Sequence, residues 1–229
     1  MPSRFALGFD PIEGQRALAE LEPRFQPLLH RCGPLALALQ PAPSPFEALV
    51  EAIVHQQLHG KAAASIFGRV KALQGGRPLT PERFQATTDA DLRQAGLSRA
   101  KLAAIRDLAA RSGLVPTWAA LRKLEDAAIL ERFTQVRGIG PWTVEMLLIF
   151  RLGRPDVWPV DDFAVRKAYG LLFGIAAPQP REMRARAEAW RPWRTVAAWY
   201  LWRSLELIPS PAKIKAADPG EGTAALPGR

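Results

Sequence analysis

The stretch Phe133–Phe150, FTQVRGIGPWTVEMLLIF, places two glycines and a proline between an amphipathic segment and a strongly apolar one. Two helices must therefore meet across a very short turn. Glycine removes the side chain and permits positive φ, so the amides of Gly138, Gly140 and their neighbours can point outward together. Pro141 suits the first position of the second helix, where an amide has no partner to lose. A helix start with free amides and a positive dipole end attracts a phosphate oxygen, and Thr143 offers a hydroxyl beside it. Such contacts grip a nucleic-acid backbone without reading its sequence. Taken alone, the same pattern equally describes a plain joint between a glycine-ended helix and a proline-started one.

The rest of the chain repeats the helical signal. Ser44-Pro45-Phe46-Glu47 is a capping box that leads into Leu49, Val50, Ile53 and Val54 on one face. After the joint Gln56-Gln57-Leu58-His59-Gly60 the pattern resumes as KAAASIFGRVKAL. Further helices are predicted from Thr80-Pro81-Glu82, over Thr88–Ala95, after Ser98, and over Leu124–Val136, Thr143–Leu152, Phe163–Phe173, Arg181–Trp190 and Trp193–Leu207. No sustained two-residue alternation bounded by hairpin dipeptides occurs. The expected class is all-α. Residues 1–43, helical in parts and rich in proline, should wrap a core formed by residues 44–208. The tail 209–229 has too few apolar groups to offset its ordering entropy and is expected to be disordered.

Thirty-one Lys and Arg against 22 Asp and Glu give a net charge of +9, which attracts polyanions and makes nucleic acid the leading partner class. A basic surface with no such partner is the alternative. The single cysteine, Cys32, can form no internal disulfide and can ligate neither an iron-sulfur cluster nor a structural zinc by itself. The first fourteen residues lack an apolar signal region, and no run reaches membrane-spanning length. A monomer in the reducing cytoplasm, with no membrane contact, is expected.

Two features sharpen the turn into a candidate reaction centre. Trp142 opens the second helix, and the pair Asp161-Asp162 follows after the returning segment GRPDVWPV. An aspartate pair before a helix commonly serves only as an N-cap. With IVHQQLHGKAAASIF, GLSRAKLAAIRDLA, VRGIGPWTVEMLLIF, DVWPVDDFAVRK and AWRPWRTVAAWYLW in order, the chain resembles the helix-hairpin-helix DNA glycosylases, and within them the DNA-3-methyladenine glycosylase II family. The resemblance runs from about Ser44 to Trp202.

That resemblance implies two helical lobes with double-stranded DNA crossing the cleft, and hydrolysis of the bond to an alkylated base of the 3-methyladenine or 7-methylguanine kind. Some relatives carry an additional N-terminal sheet domain, for which this chain is too short. Breaking an N-glycosidic bond develops an oxocarbenium ion that a carboxylate can stabilise. Asp162 holds the family's catalytic place, with Asp161 as rival because Pro159-Val160-Asp161 also fits a related pattern. Trp142 stands where strand-cleaving relatives carry a lysine nucleophile, so no Schiff base is expected. Trp142, Met146 and Trp202 are the implied pocket, Met146 departing from an aromatic; Trp118, Trp190, Trp193 and Trp199 are assigned to packing. The wedge that fills the gap left by a rotated base is implied at Leu58 or His59, with Gln56 or Gln57 touching bases or backbone. No cofactor is required, although the carbonyls of Thr134, Val136 and Ile139 are candidates for holding a monovalent cation. A hairpin module that binds DNA without catalysis, and an oxidised-purine glycosylase with lyase activity, are the alternatives.

Overall fold

The computed structural model describes residues 7–207, all of them in helices, turns and connecting segments, with no strand among the described residues. The tail expected to be disordered lies outside that range. Thirteen α-helices follow one another: α1 Pro11–Leu21, α2 Gln26–Cys32, α3 Pro45–His55, α4 Gly60–Ala72, α5 Pro81–Ala86, α6 Asp89–Gln94, α7 Arg99–Ala110, α8 Trp118–Leu121, α9 Asp126–Phe133, α10 Pro141–Leu147, α11 Phe163–Phe173, α12 Pro180–Ala187 and α13 Arg194–Glu206. Side-chain N-caps start many of them. Ser44 accepts from the Glu47 amide, Thr80 from Arg83, Thr88 from Asp91 and Ser98 from Lys101, each satisfying an orphan amide of the first turn.

The helices form two lobes. In one, α4, α7 and α10 pack on α3, α5 and α6 on α7, and α9 on α10; in the other, α11 and α13 pack on each other, α13 on α1 and α2, and α11 on the 3₁₀ turn Pro23–Phe25. The N-terminal segment therefore does more than wrap a finished core: Leu18 and Phe25 are fully buried, and the Tyr200 hydroxyl donates to the Gly33 carbonyl at 2.9 Å. One lobe is thus assembled from both ends of the described chain. At its centre Trp190 meets Phe25 edge-on at 5.4 Å and Trp158 at 5.2 Å, arrangements that add to plain area burial.

Three boundaries differ from those the periodicity predicts. Helix α9 is shorter because the Thr134 hydroxyl donates to the Leu130 carbonyl at 2.8 Å and the Val136 amide turns back to Phe133. The segment Arg181–Trp190 ends in a 3₁₀ turn over Glu188–Trp190. The helix expected over Thr143–Leu152 starts at Pro141 and widens into a π turn over Leu148–Leu152, closed by Gly153 in the left-handed conformation. This widening leaves the Phe150 carbonyl to accept the Gln40 amide at 2.8 Å. Such turns are rare and concentrate at functional sites.

Candidate active site

The hairpin between α9 and α10 is held from behind. Ile139 is buried, and its amide donates to the Val136 carbonyl at 3.1 Å. The Arg137 amide donates to Asp107 Oδ2 on α7 at 2.8 Å, and this bond together with Arg111 holds the Asp107 carboxyl below its ordinary range. Gly138 has φ +76°, and a Cβ there would stand 3.1 Å from the Cβ of Ala104; close approach and backbone conformation both demand glycine. Gly140, the N-cap of α10, is exposed with open space around it. The amides of Gly138 and Gly140 make no hydrogen bond among the described residues. They are therefore free donors at a helix start.

Thr143 does not join them. It is buried, and its Oγ1 accepts from Gln56 Nε2 at 3.3 Å, while the same nitrogen donates to the Gly138 carbonyl at 2.9 Å. Thr143 and Gln56, two of the side chains expected at DNA, thus meet each other and tie the hairpin to the end of α3. Gln57, Leu58 and His59 stay exposed on the joint between α3 and α4. Gln57 is the non-glycine residue with positive φ among those described, at 56°, a conformation that costs roughly 1–2 kcal/mol and projects the exposed Leu58 from the joint.

Asp162 ends the segment returning from α10. The turn Trp158–Asp162 is anchored by buried Val160 and by the Asp162 amide, which donates to the Pro159 carbonyl at 3.1 Å. Its carboxylate receives three donors: Trp142 Nε1 on Oδ2 at 2.8 Å, and Trp202 Nε1 and the Val165 amide on Oδ1 at 3.0 and 2.8 Å. Asp162 is thus both the N-cap of α11 and the point where two tryptophans from different lobes converge. Asp161 points away, exposed, with Arg184 at 3.6 Å. Of the pair, Asp162 both caps α11 and lines a cavity.

Two cavities lie on either side of Met146 and Phe150, and Asp162 lines the larger of them. One, of about 300 Å³, lies between α3 and α10 and is lined by Glu51, His55, Trp142, Met146, Phe150 and Arg151. The other, of about 880 Å³, is lined by Asp162, Met146, Phe150, Trp199 and Trp202. Met146 and Phe150 form the wall between them, and the Phe150 and Trp202 rings sit 5.6 Å apart. Trp190 is core, as expected; Trp118 is tied by its indole to the Ala42 carbonyl, and Trp193 packs on Phe9. Trp199 packs on Tyr200 and also lines the larger cavity. Sequence reasoning missed Phe150, which reads as one more apolar position, and the pair Glu51 and Arg151, a hundred residues apart.

Behind α10 lies Glu145, whose Oε2 is buried without a hydrogen-bond partner. Burial first, and the charge of Asp161 second, push its carboxyl up to about 7, Arg184 opposing and Asp162 adding. The folded chain therefore keeps this proton between about pH 4.5 and 7, where the unfolded chain has released it. The group's contribution to stability is greatest at the acid end of that window, declines as pH rises through it and is flat above. Glu145→Gln should accordingly stabilise the protein by about 1–2 kcal/mol above neutrality, after discounting solvent screening, and by little at pH 4.5. Calorimetric melting at both pH values checks this; an equal shift in Tm at the two would refute it.

Residues 50–193 match the family model described as HhH-GPD superfamily base excision DNA repair protein. The chain is 41% identical over 167 residues to DNA-3-methyladenine glycosylase 1 of Schizosaccharomyces pombe, an alignment covering 71% of this chain and 73% of that protein. Its structure superposes on the S. pombe 3-methyladenine DNA glycosylase in complex with abasic DNA with a TM-score of 0.74 at 36% identity, covering 86% of this chain and 98% of that one. A DNA-3-methyladenine glycosidase from Bacillus halodurans gives a TM-score of 0.74 at 34% identity, over 87% and 91% of the two chains. An all-helical body, a glycine-built hairpin with free amides and a carboxylate at the cleft accompany these matches, and the chain belongs to the HhH-GPD superfamily of base excision DNA repair proteins.

Proposed function

We propose that this chain is a monofunctional DNA glycosylase that hydrolyses the N-glycosidic bond of alkylated bases, 3-methyladenine-like and 7-methylguanine-like, in double-stranded DNA. The observation that carries the reading is the Asp162 carboxylate, fixed by the Trp142 and Trp202 indoles beside the two cavities. The free amides of Gly138 and Gly140 take the phosphate, and Leu58, with His59 next to it, fills the gap left when the base rotates out. Trp142 and Met146 form walls for the extruded base. An N-alkylated purine is positively charged and already a good leaving group, so an electron-rich ring attracts it and no strong general acid is needed. As the bond to the base breaks, positive charge grows on the sugar, and the Asp162 carboxylate stabilises it. Water then adds to the sugar, leaving free base and an abasic site.

The side chain at position 142 is an indole, so no amine is available there for a Schiff base. The carbonyls of Thr134, Val136 and Ile139 are neutral oxygen donors of the kind that hold monovalent cations. The Val136 carbonyl keeps a lone pair after accepting the Ile139 amide, so a cation bound there would stiffen the hairpin. The protein is proposed to act as a monomer.

Mass spectrometry of bases freed from methylated duplex DNA tests the assignment. Release of 3-methyladenine and 7-methylguanine is expected, with no adduct trapped when borohydride is added to enzyme and abasic DNA. Binding without base release would leave only a DNA-binding module, and a trapped adduct would overturn the monofunctional mechanism.

A further inference from the structure

The smaller cavity contains more charge than an apolar base pocket requires. Glu51, near the end of α3, lines it together with Arg151 from the π turn. Arg151 Nη2 donates to Glu51 Oε2 at 2.7 Å and Nη1 donates to the Gln40 carbonyl, so the nearly buried guanidinium is spent on two acceptors of the wall. The second carboxylate oxygen, Oε1, has no hydrogen-bond partner among the described residues. The widened turn is what brings Arg151 to this position: the Phe150 carbonyl it releases binds the Gln40 amide, and Gln40 in turn presents its carbonyl to Arg151. A carboxylate is thus clamped through one oxygen, with the other left over, in a space of about 300 Å³ that Trp142 also lines. That volume is at the small end of ligand sites and suits a single base.

We infer that Glu51 is a specificity-determining residue: the free oxygen of its Arg151-anchored carboxylate receives the ring of a cationic N-alkylpurine, and so separates charged from neutral bases in this cavity. The inference deepens the proposed function and rests on it for the identity of the ligand. An aromatic wall attracts any purine by stacking and a cation somewhat more. A carboxylate in a partly dehydrated cavity adds a charge-assisted hydrogen bond available to the N–H edge of a cation and much weaker for a neutral base. Anchoring matters as well, because Arg151 fixes the side chain before the base arrives and lowers the ordering cost of binding.

The test compares wild type with Glu51→Gln, which keeps an amide oxygen for Arg151, and with Glu51→Asp, which keeps the charge. On duplex DNA carrying 7-methylguanine or hypoxanthine, the ratio of single-turnover release rates, charged over neutral, should fall about tenfold in Glu51→Gln and less in Glu51→Asp. In parallel, calorimetric titration with 7-methylguanosine below neutral pH, where its ring is cationic, and with guanosine should show the same loss of preference without any need for catalysis. Equal falls for both bases, or no change in either ratio, overturn the inference. Absence of base release by wild type, with cation preference intact in the titration, would instead sink the glycosylase reading and leave the cavity's selectivity standing. Melting temperatures of all three proteins separate a lost contact from a lost fold.

Discussion

Replacing Asp162 with Asn is expected to lower the single-turnover rate of base release from methylated duplex DNA by about 10²- to 10³-fold, the usual size of a lost transition-state electrostatic contact. The substitution is unusually clean at the level of the fold. Asn caps helices as well as Asp does, so the Val165 amide keeps its acceptor and α11 keeps its start; Trp202 keeps the same oxygen. Only the Trp142 indole, now facing an amide nitrogen in place of Oδ2, loses its partner, at a cost of roughly 1–3 kcal/mol. A modest fall in Tm with a large fall in rate is the expected signature. Asp161→Asn serves as the control, because that side chain faces Arg184 and solvent. Were the Asp161 variant the inactive one, the catalytic role would move one residue back.

Gly138→Val should weaken binding to DNA carrying an abasic-site analogue by tenfold or more, read by fluorescence anisotropy. Two costs coincide at this position. A side chain at φ +76° pays roughly 1–2 kcal/mol in backbone strain, and the new Cβ would press on Ala104 at 3.1 Å. The turn can relieve both only by moving, and in moving it misdirects the free amides. Loss should be uniform across sequences, since phosphate contacts carry no base information. Gly140→Ala separates strain from occlusion: its φ of −96° and open surroundings admit a methyl group without strain, so any weakening there reports bulk placed where a phosphate approaches. Unchanged affinity in both variants would remove the hairpin from the DNA interface.

Much of this site was legible because it is local. The turn from Arg137 to Trp142 announces itself through glycine and proline chemistry, the predicted span Phe163–Phe173 is the helix observed, and the aspartate pair falls at its start. What was hidden depends on partners far apart in sequence. Nothing near Gln56 indicates that its amide will reach Gly138, 82 positions away, and so a residue expected on DNA proves to brace the hairpin. Thr143 offers a hydroxyl at the helix start, yet it is buried and bonded to Gln56 at the end of α3. The π turn has no periodic signature, since apolar residues at Leu148, Ile149 and Leu152 suit an α-helix equally well. Glu51 and Arg151 each look like an ordinary charge until the fold brings them within 2.7 Å.

The lobe built from both ends of the described chain has a consequence for the order in which the molecule becomes competent. During synthesis, α3–α10 leave the ribosome while α13 is still unmade. Helices α1 and α2, although made first, must wait for α13 to complete their packing, and Phe25 for Phe173 and Trp190. Trp202 lies on that last helix, so the Asp162 carboxylate receives its second indole only once the far end of the fold has been delivered. A nascent chain, or one cut before α13, thus holds the Asp162 carboxylate without the Trp202 indole, one of its three donors.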